Sequence, residues 1–370
     1  MSEEIERLQE LLRKDPSNFQ ARRELSVLLA NNGFNEEALS NLEYLKKYFP
    51  EDADILYNMG IIYEKLKDFE NAKNAYQDAI LISPQTDFYY NLGEVLVNLK
   101  HWDDAINSFN QVLKTDKYDG NCYFNLGVCY FNKGNFKLAE DNFQKAIDLN
   151  PKDLYAHFYL GNIYQGQGLT NFAEDCYKKV LEISPDYSWA YYNLASIAYQ
   201  NNNIDEAKSN LLLTIEYNYQ DIEAYKLLTK ISIKDNDIEN ILTILHERLK
   251  KEENGDLFYI LAQVYKYIGN TEDYIKYLSF AIKNSLTLTY SHKLVEQELE
   301  NIKQTSGLEP PNDMEEYSSN EEYDDEEEDE NEDDKEEYDD DEEDDDDEED
   351  DDDEEDDDEY IDEDTDGDEE

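Results

Sequence analysis

Small residues interrupt a helical pattern of apolar and polar positions at a nearly constant interval along this chain. Ser26, Gly60, Gly93, Gly127, Gly161, Ala195, Thr229 and Ala262 lie 33 or 34 residues apart. Twelve residues after each of these markers stand Ala38, Ala72, Ala105, Ala139, Ala173, Ala207, Ile241 and Tyr274. In the unit that begins at Ala53, Leu56, Met59, Gly60 and Tyr63 fall at i, i+3, i+4 and i+7, one stripe of an amphipathic helix. Phe69, Ala72, Tyr76, Ala79 and Ile80 form a second stripe, and Pro84 ends it because proline has no amide proton to continue a helix. Glycine inside a helix costs roughly 1 kcal/mol relative to alanine. Its recurrence therefore predicts that the missing side chain admits a partner helix, and that Gly60→Leu would overpack the pair.

The pattern resembles the tetratricopeptide repeat. The fourth unit carries it as Tyr123, Leu126, Gly127, Tyr130, Ala139, Phe143, Ala146 and Pro151, and the fifth as Leu160, Gly161, Tyr164, Ala173, Tyr177 and Pro185. The first unit is looser, with Leu25, Leu29, Ala38, Leu42 and Pro50. Units seven and eight depart most, with Ile241 and Tyr274 at the second small position and no closing proline. The resemblance implies an all-α fold: a right-handed α-solenoid of about eight stacked helix-turn-helix units over residues 19–286, the last two degenerate. Residues 1–18, with Ile5, Leu8, Leu11 and Leu12, read as a capping helix for one end. Residues 287–306, with Leu294, Val295, Leu299 and Ile302, read as its counterpart at the other.

Composition changes abruptly after that. From Pro311 to Glu370, 45 of 60 residues are Asp or Glu and one, Lys335, is basic, so this segment holds −44 of the chain's −61 net charge. Residues 307–370 are expected to form a disordered acidic tail, too poor in apolar surface to offset the entropy of ordering. As a flexible coil it would reach about 40–45 Å, and further under self-repulsion. Such acidity argues against nucleic acid as a direct ligand, because phosphates call for clustered Lys and Arg.

Motifs for chemistry are missing from the sequence. His101, His157, His246 and His292 are scattered through separate units without metal-ligand spacing, and no phosphate-cradling glycine loop or nucleophile elbow occurs. Asp362, Asp364, Asp366 and Gly367 match the opening of a calcium loop, but the chain as given stops short of the twelfth-position glutamate. No metal, cofactor or catalytic role is therefore expected. Cys122, Cys129 and Cys176 read as packing thiols in a reducing, cytoplasmic setting. No apolar run approaches the ~20 residues that span a bilayer.

The resemblance places the first helix of each unit along a concave groove. Two residues before the markers stand Glu24, Asn58, Asn91, Asn125, Tyr159, Asn193, Leu227 and Ile260, and one residue earlier an aromatic row of Tyr57, Tyr90, Phe124, Phe158, Tyr192 and Tyr259. An amide offers both donor and acceptor, so a series of asparagines can hold the backbone of an extended peptide. The arrangement is similar to the repeat domain of the O-linked N-acetylglucosamine transferases, which implies such gripping at Asn58, Asn91, Asn125 and Asn193, interrupted at Tyr159. A carboxylate clamp of the kind found in chaperone-associated repeats would need basic residues there, and units two to six offer only Lys65. Lys226, Lys230 and Lys234, joined by Lys266, form a candidate stripe for acidic ligand, including the chain's own tail. The expected function is a non-enzymatic scaffold that binds a neutral or basic peptide segment of a protein partner. The alternative is capture of basic proteins, in the manner of a histone chaperone, by the tail.

Overall fold

The computed structural model describes residues 3–308; the acidic tail and the calcium-loop-like residues Asp362–Gly367 lie outside the described residues. Within them the secondary structure is entirely helical. A leading helix α1 (Glu3–Lys14) precedes α2 (Phe19–Asn31) paired with α3 (Asn35–Tyr48), α4 (Ala53–Lys65) with α5 (Phe69–Ile82), and α6 (Thr86–Asn98) with α7 (Trp102–Thr115). There follow α8 (Gly120–Asn132) with α9 (Phe136–Leu149), α10 (Leu154–Gly166) with α11 (Thr170–Ile183), and α12 (Ser188–Gln200) with α13 (Ile204–Tyr217). The series ends with α14 (Ile222–Asp235) and α15 (Ile238–Lys251), α16 (Gly255–Ile268) and α17 (Thr271–Lys283), a 3-10 turn (Ser285–Thr287) and α18 (His292–Ser306). Every first helix starts seven residues before its marker and every second helix nine after it. Each second helix packs on its own first helix and on the first helix of the next repeat, which is what stacks the repeats.

The glycine markers exist because an aromatic ring lies on them. A Cβ at Gly93, Gly127 or Gly161 would come within 2.6–2.7 Å of a ring carbon of Phe109, Phe143 or Tyr177, and Gly60 meets Tyr76 in the same way. These rings stand sixteen residues after the marker on the second helix, and all four are fully buried. Where the marker has a Cβ, at Ser26, Ala195, Thr229 and Ala262, the residue sixteen later is Leu42, Leu211, Leu245 or Leu278. Volume is thus traded across the helix pair: no side chain against a ring, a small side chain against leucine.

The turns between paired helices are equally regular. Seven residues after each marker the backbone enters the left-handed region, at Gly33, Lys67, Lys100, Gly134, Gly168, Asn202, Asn236 and Gly269, with φ between 59° and 82°. Glycine bears this at no steric cost and asparagine at little, whereas Lys67 and Lys100 carry a Cβ into it. First helices are capped at their other end by Asn18, Asp52, Asp119, Asp153, Asp221 and Asn254, whose side chains accept amide protons of the first turn. Asp52 also accepts from Arg23 at 2.6 Å. Burial opposes the charge on Asp52, but Arg23 and the α4 amides outweigh it and hold the carboxyl below the ordinary range.

Repeats seven and eight pack by other means. Ile241 fills the second small position, the Thr229 hydroxyl is buried without a hydrogen-bond partner, and α14 and α15 pack less closely than the other pairs. Tyr274 uses its size: its hydroxyl donates to Glu298 of α18. Glu298 also accepts from Tyr259 (3.1 Å), Gln263 (3.4 Å) and Lys266 (2.6 Å), so α18 is clasped to α16 and α17 through one carboxylate. The turn before α18 seals the start of α16, where buried Asp256 accepts from the Thr289 amide and hydroxyl at 2.7 and 2.8 Å. At the other end α1 buries Ile5, Leu8 and Leu12 against α2. Two expectations fail on these end helices: Leu11 and Leu294 point outward, 37% and 64% exposed, because a lone terminal helix has a neighbour on one side only.

Two consequences can be measured by chemical denaturation. Gly127→Ala should destabilise by about 1–3 kcal/mol. Adding Phe143→Leu should recover part of that loss, since the pair then matches Ala195 with Leu211; strict additivity of the two single variants would refute the packing rule. Lys67→Gly should stabilise by about 0.5–1 kcal/mol by relieving the left-handed Cβ.

Candidate functional site on the first-helix face

One stripe of the first helices is left free by the stacking. At six before the marker, two before, one after and five after, repeats two to six read exposed, half-buried, half-buried, exposed without exception. These positions share a helix face by their i, i+4, i+7, i+11 spacing. The residues are Asp54, Asn58, Ile61 and Lys65; Asp87, Asn91, Glu94 and Asn98; Asn121, Asn125, Val128 and Asn132; Tyr155, Tyr159, Asn162 and Gly166; and Trp189, Asn193, Ser196 and Gln200. In repeat one the same positions, Gln20, Glu24, Val27 and Asn31, are all exposed, since no first helix precedes them. The half-burial elsewhere comes from that preceding helix.

The asparagines touch it through hydrogen bonds. Asn91 donates to the Tyr57 hydroxyl at 3.0 Å, Asn125 to the Tyr90 hydroxyl at 3.5 Å, and Asn193 to Oδ1 of Asn162 at 3.4 Å. Each therefore spends donor capacity on the preceding repeat, Asn91 on Tyr76 as well as Tyr57, and keeps a carbonyl oxygen. Asn58 lines a small hollow with Ser26, Val27 and Lys65, whose ammonium donates to the Ala30 carbonyl at 3.0 Å. The sequence treats these residues as groove-facing alone; their second role is to join repeats.

The aromatic row is half core. Tyr57, Tyr90, Phe124 and Phe158 lie against Tyr76, Phe109, Phe143 and Tyr177, with ring centroids 5.6–5.9 Å apart. Each ring thus rests on the one that seats the marker glycine. Tyr192 is likewise half-buried, against the core of the later repeats. Tyr159 interrupts the asparagines for a reason visible here. The preceding repeat presents Phe124 and Phe143, which have no hydroxyl to accept an amide, and Tyr159 instead stacks on Phe143 at 5.2 Å and meets Phe124 edge-on at 6.0 Å.

Charge on this surface is uneven. Burial raises the pKa of Glu64 and of Glu94, and proximity to Glu64 adds to the rise at Glu94. Glu64 accepts from the Tyr76 hydroxyl at 3.1 Å, and among the described residues no lysine or arginine pairs with either carboxylate. The lysine stripe is partly spent. Lys226 pairs with Glu223 at 2.8 Å and Lys266 with Glu298 at 2.6 Å, while Lys230 and Lys234 lie over the Tyr199 ring at 5.5 and 5.4 Å. The sequence missed both neutralising glutamates, and Glu298 could not have been found by repeat spacing.

Cys122, Cys129 and Cys176 are buried free thiols. Burial pushes Cys129 up to about 12 and Cys176 up to about 11, which keeps both as neutral thiols at physiological pH. Among the described residues no group of three His, Cys, Asp or Glu is placed to hold a metal ion. Nor is any described helix long and apolar enough to cross a membrane.

The account of Tyr159 is open to a stability measurement. Tyr159→Asn should cost about 1–3 kcal/mol, because it sets an amide on two phenylalanine rings and gives up a stack. Tyr159→Phe keeps the ring and should stay within about 0.5 kcal/mol of the parent. Equal losses would show that the stack is not what selects tyrosine.

Sequence profiles of the tetratricopeptide repeat match residues 53–85, 86–119, 120–153, 154–187 and 171–231. No curated protein matches the chain. Among solved structures, MamA residues 41 to the end from Desulfovibrio magneticus RS-1 is 25% identical over 46% of this chain and 97% of its own, with a TM-score of 0.45. YrrB, described as a TPR protein with an unusual peptide-binding site, is 21% identical over 50% of this chain and 95% of its own, at 0.45. A tetratricopeptide repeat protein from Parabacteroides merdae is 16% identical over 68% and 98%, at 0.47. With the profiles following one another through the central repeats, and the glycine seats, turns and stacking found in the helices themselves, the chain belongs to the tetratricopeptide-repeat family of protein-interaction scaffolds.

Proposed function

We propose that the first-helix face of repeats two to six binds an extended peptide segment, neutral or basic in character, from a protein partner. The observation that carries this is the row of half-buried asparagines, broken at Tyr159, of which Asn91, Asn125 and Asn193 are held by the preceding repeat and keep hydrogen-bonding capacity for a ligand. Amides fixed in this way lose little further freedom when a ligand's backbone bonds to them. Basic character is favoured by Glu64 and Glu94, carboxylates that burial destabilises and that no salt bridge among the described residues offsets. The work is association, with no reaction assigned to the face.

Capture on the acidic tail is the second reading, favoured by the 45 carboxylates between Pro311 and Glu370. Affinity capture with the full chain, with a chain lacking residues 311–370, and with Asn58, Asn91 and Asn125 all changed to Ala separates the two. Binding kept without the tail and lost with the triple substitution supports the face; the opposite pattern assigns the work to the tail.

The two glutamates give a sharper check. Because their pKa values are raised in the folded state, their ionisation subtracts from stability above those values, and the penalty vanishes in acid where folded and unfolded forms are both protonated. Glu64→Gln with Glu94→Gln should therefore raise the melting temperature at pH 7, with the gain fading as pH falls through the raised values and gone by about pH 4, the ordinary glutamate range. The same pair should weaken capture of a basic partner. A purely structural role would instead cost stability at neutral pH.

A further inference from the structure

The face changes chemistry along its length in a fixed order. Repeats two and three present Asp54, Asp87 and Glu94, with half-buried Glu64 beside the stripe and close enough to act on Glu94, and against them stands only Lys65, turned to a backbone carbonyl. Repeat four is amide-rich, with Asn121, Asn125 and Asn132 around Val128. Repeats five and six carry two large exposed aromatics at equivalent positions, Tyr155 and Trp189, each 56% exposed. Tyr187 lies beside Tyr155, with centroids 6.4 Å apart, and further along the same stripe a Cβ on Gly166 would meet nothing within 4 Å. Repeat seven then presents Lys230 and Lys234, the two members of its lysine stripe with no glutamate against them in the salt bridges.

We infer that the face reads a segment of ordered chemistry: cationic residues over repeats two and three, an apolar side chain on Tyr155 and Trp189, and carboxylates over Lys230 and Lys234. The inference rests on the peptide-binding reading above and adds its register and orientation. Each pole supplies what a segment of one sign would lack. An all-basic peptide meets repelling lysines at repeat seven, and an all-acidic one, such as the chain's own residues 311–370, meets four carboxylates at repeats two and three. Trp and Tyr are among the side chains that most often carry binding energy at protein interfaces, and these two exposed rings hold the same register in adjacent repeats. Burial of the Glu64 and Glu94 carboxylates sharpens preference at that pole, since a cation there relieves a penalty the free protein already carries.

The test is paramagnetic relaxation in solution, on the full chain with isotope-labelled amides. The probe is a synthetic peptide of about 20 residues, long enough at ~3.3 Å per residue to pass several repeats. It carries Lys and Arg in its first quarter, Leu and Pro in the middle and Asp and Glu in its last quarter, with a spin label at one end or the other. A label at the basic end should broaden amides of α4 and α6 and spare α14, and a label at the acidic end should do the reverse. Trp189→Ala should lower affinity at least tenfold without moving either broadening pattern. Glu94→Lys should weaken this peptide and strengthen an all-acidic one of equal length. Binding with both labels broadening all repeats alike, or tighter binding of the all-acidic peptide to the unaltered chain, overturns the ordered register while leaving a peptide-binding face intact. Failure of every peptide, all-basic included, to perturb the first-helix amides would count against the face itself.

Discussion

The packing of this protein turns on a side chain that is not there. At Gly60, Gly93, Gly127 and Gly161 the first helix gives up a Cβ, and a ring from the second helix lies where it would be. That seat fixes the ring, which supports the half-buried aromatic three residues before the marker, 5.6–5.9 Å away. That aromatic is in turn what the next repeat touches, by a hydrogen bond from Asn91 or Asn125 or by the ring of Tyr159. Core and surface are therefore one series of contacts. The orientation of a half-buried amide is set, two contacts inward, by the absence of a methyl group.

Repeats that abandon this seat show what it supplied. With leucine on the second helix and a Cβ on the first, repeats seven and eight lose the ring platform, and other contacts hold them: the Glu298 clasp, the Asp256 lock on Thr289, and rings over Lys226 and Lys266. Tyr274 illustrates the exchange. It breaks the small-residue rule at its position, and its hydroxyl finds the carboxylate of a helix that only the last repeat meets. Burial, and then Glu298, push its pKa upward, so it stays a donor throughout the physiological range. A terminal repeat has no successor to bury its outer side, and polar contacts to a single closing helix replace the stacking its predecessors share.

The fold was legible in the sequence because its decisive contacts recur at one spacing. Marker and partner are sixteen residues apart in every repeat, so a period of 33 or 34 carries both helices, their pairing and their stacking. The left-handed turn seven residues after each marker was equally periodic and was obscured by composition, since Lys67 and Lys100 stand among the glycines and asparagines. The site was less legible. Asn91 and Tyr57 meet across 34 residues and Lys266 and Glu298 across 32, and nothing in a helical stripe says which exposed-looking polar residues have already found a partner. Spacing identified the face; only side-chain placement divided it into groups that join repeats and groups with capacity left.

Net charge is a poor guide to such a surface. At −61 the chain as a whole should repel anything acidic, yet −44 of that sits in the segment from Pro311 onward, and residues 1–310 carry 48 acids against 31 bases, a net −17. Which of them remain unanswered is decided locally. Lys226 and Lys266 are neutralised by glutamates at their own end, while Glu64 and Glu94 lie beside tyrosines, which can donate a hydrogen bond to a carboxylate but cannot neutralise it. Exposed charges act over roughly 8 Å at physiological salt, so these few uncompensated groups set the local field of the face. A short-range preference for a cation in repeats two and three can thus coexist with lysines in repeat seven, since salt screens exposed charges separated by more than about 8 Å.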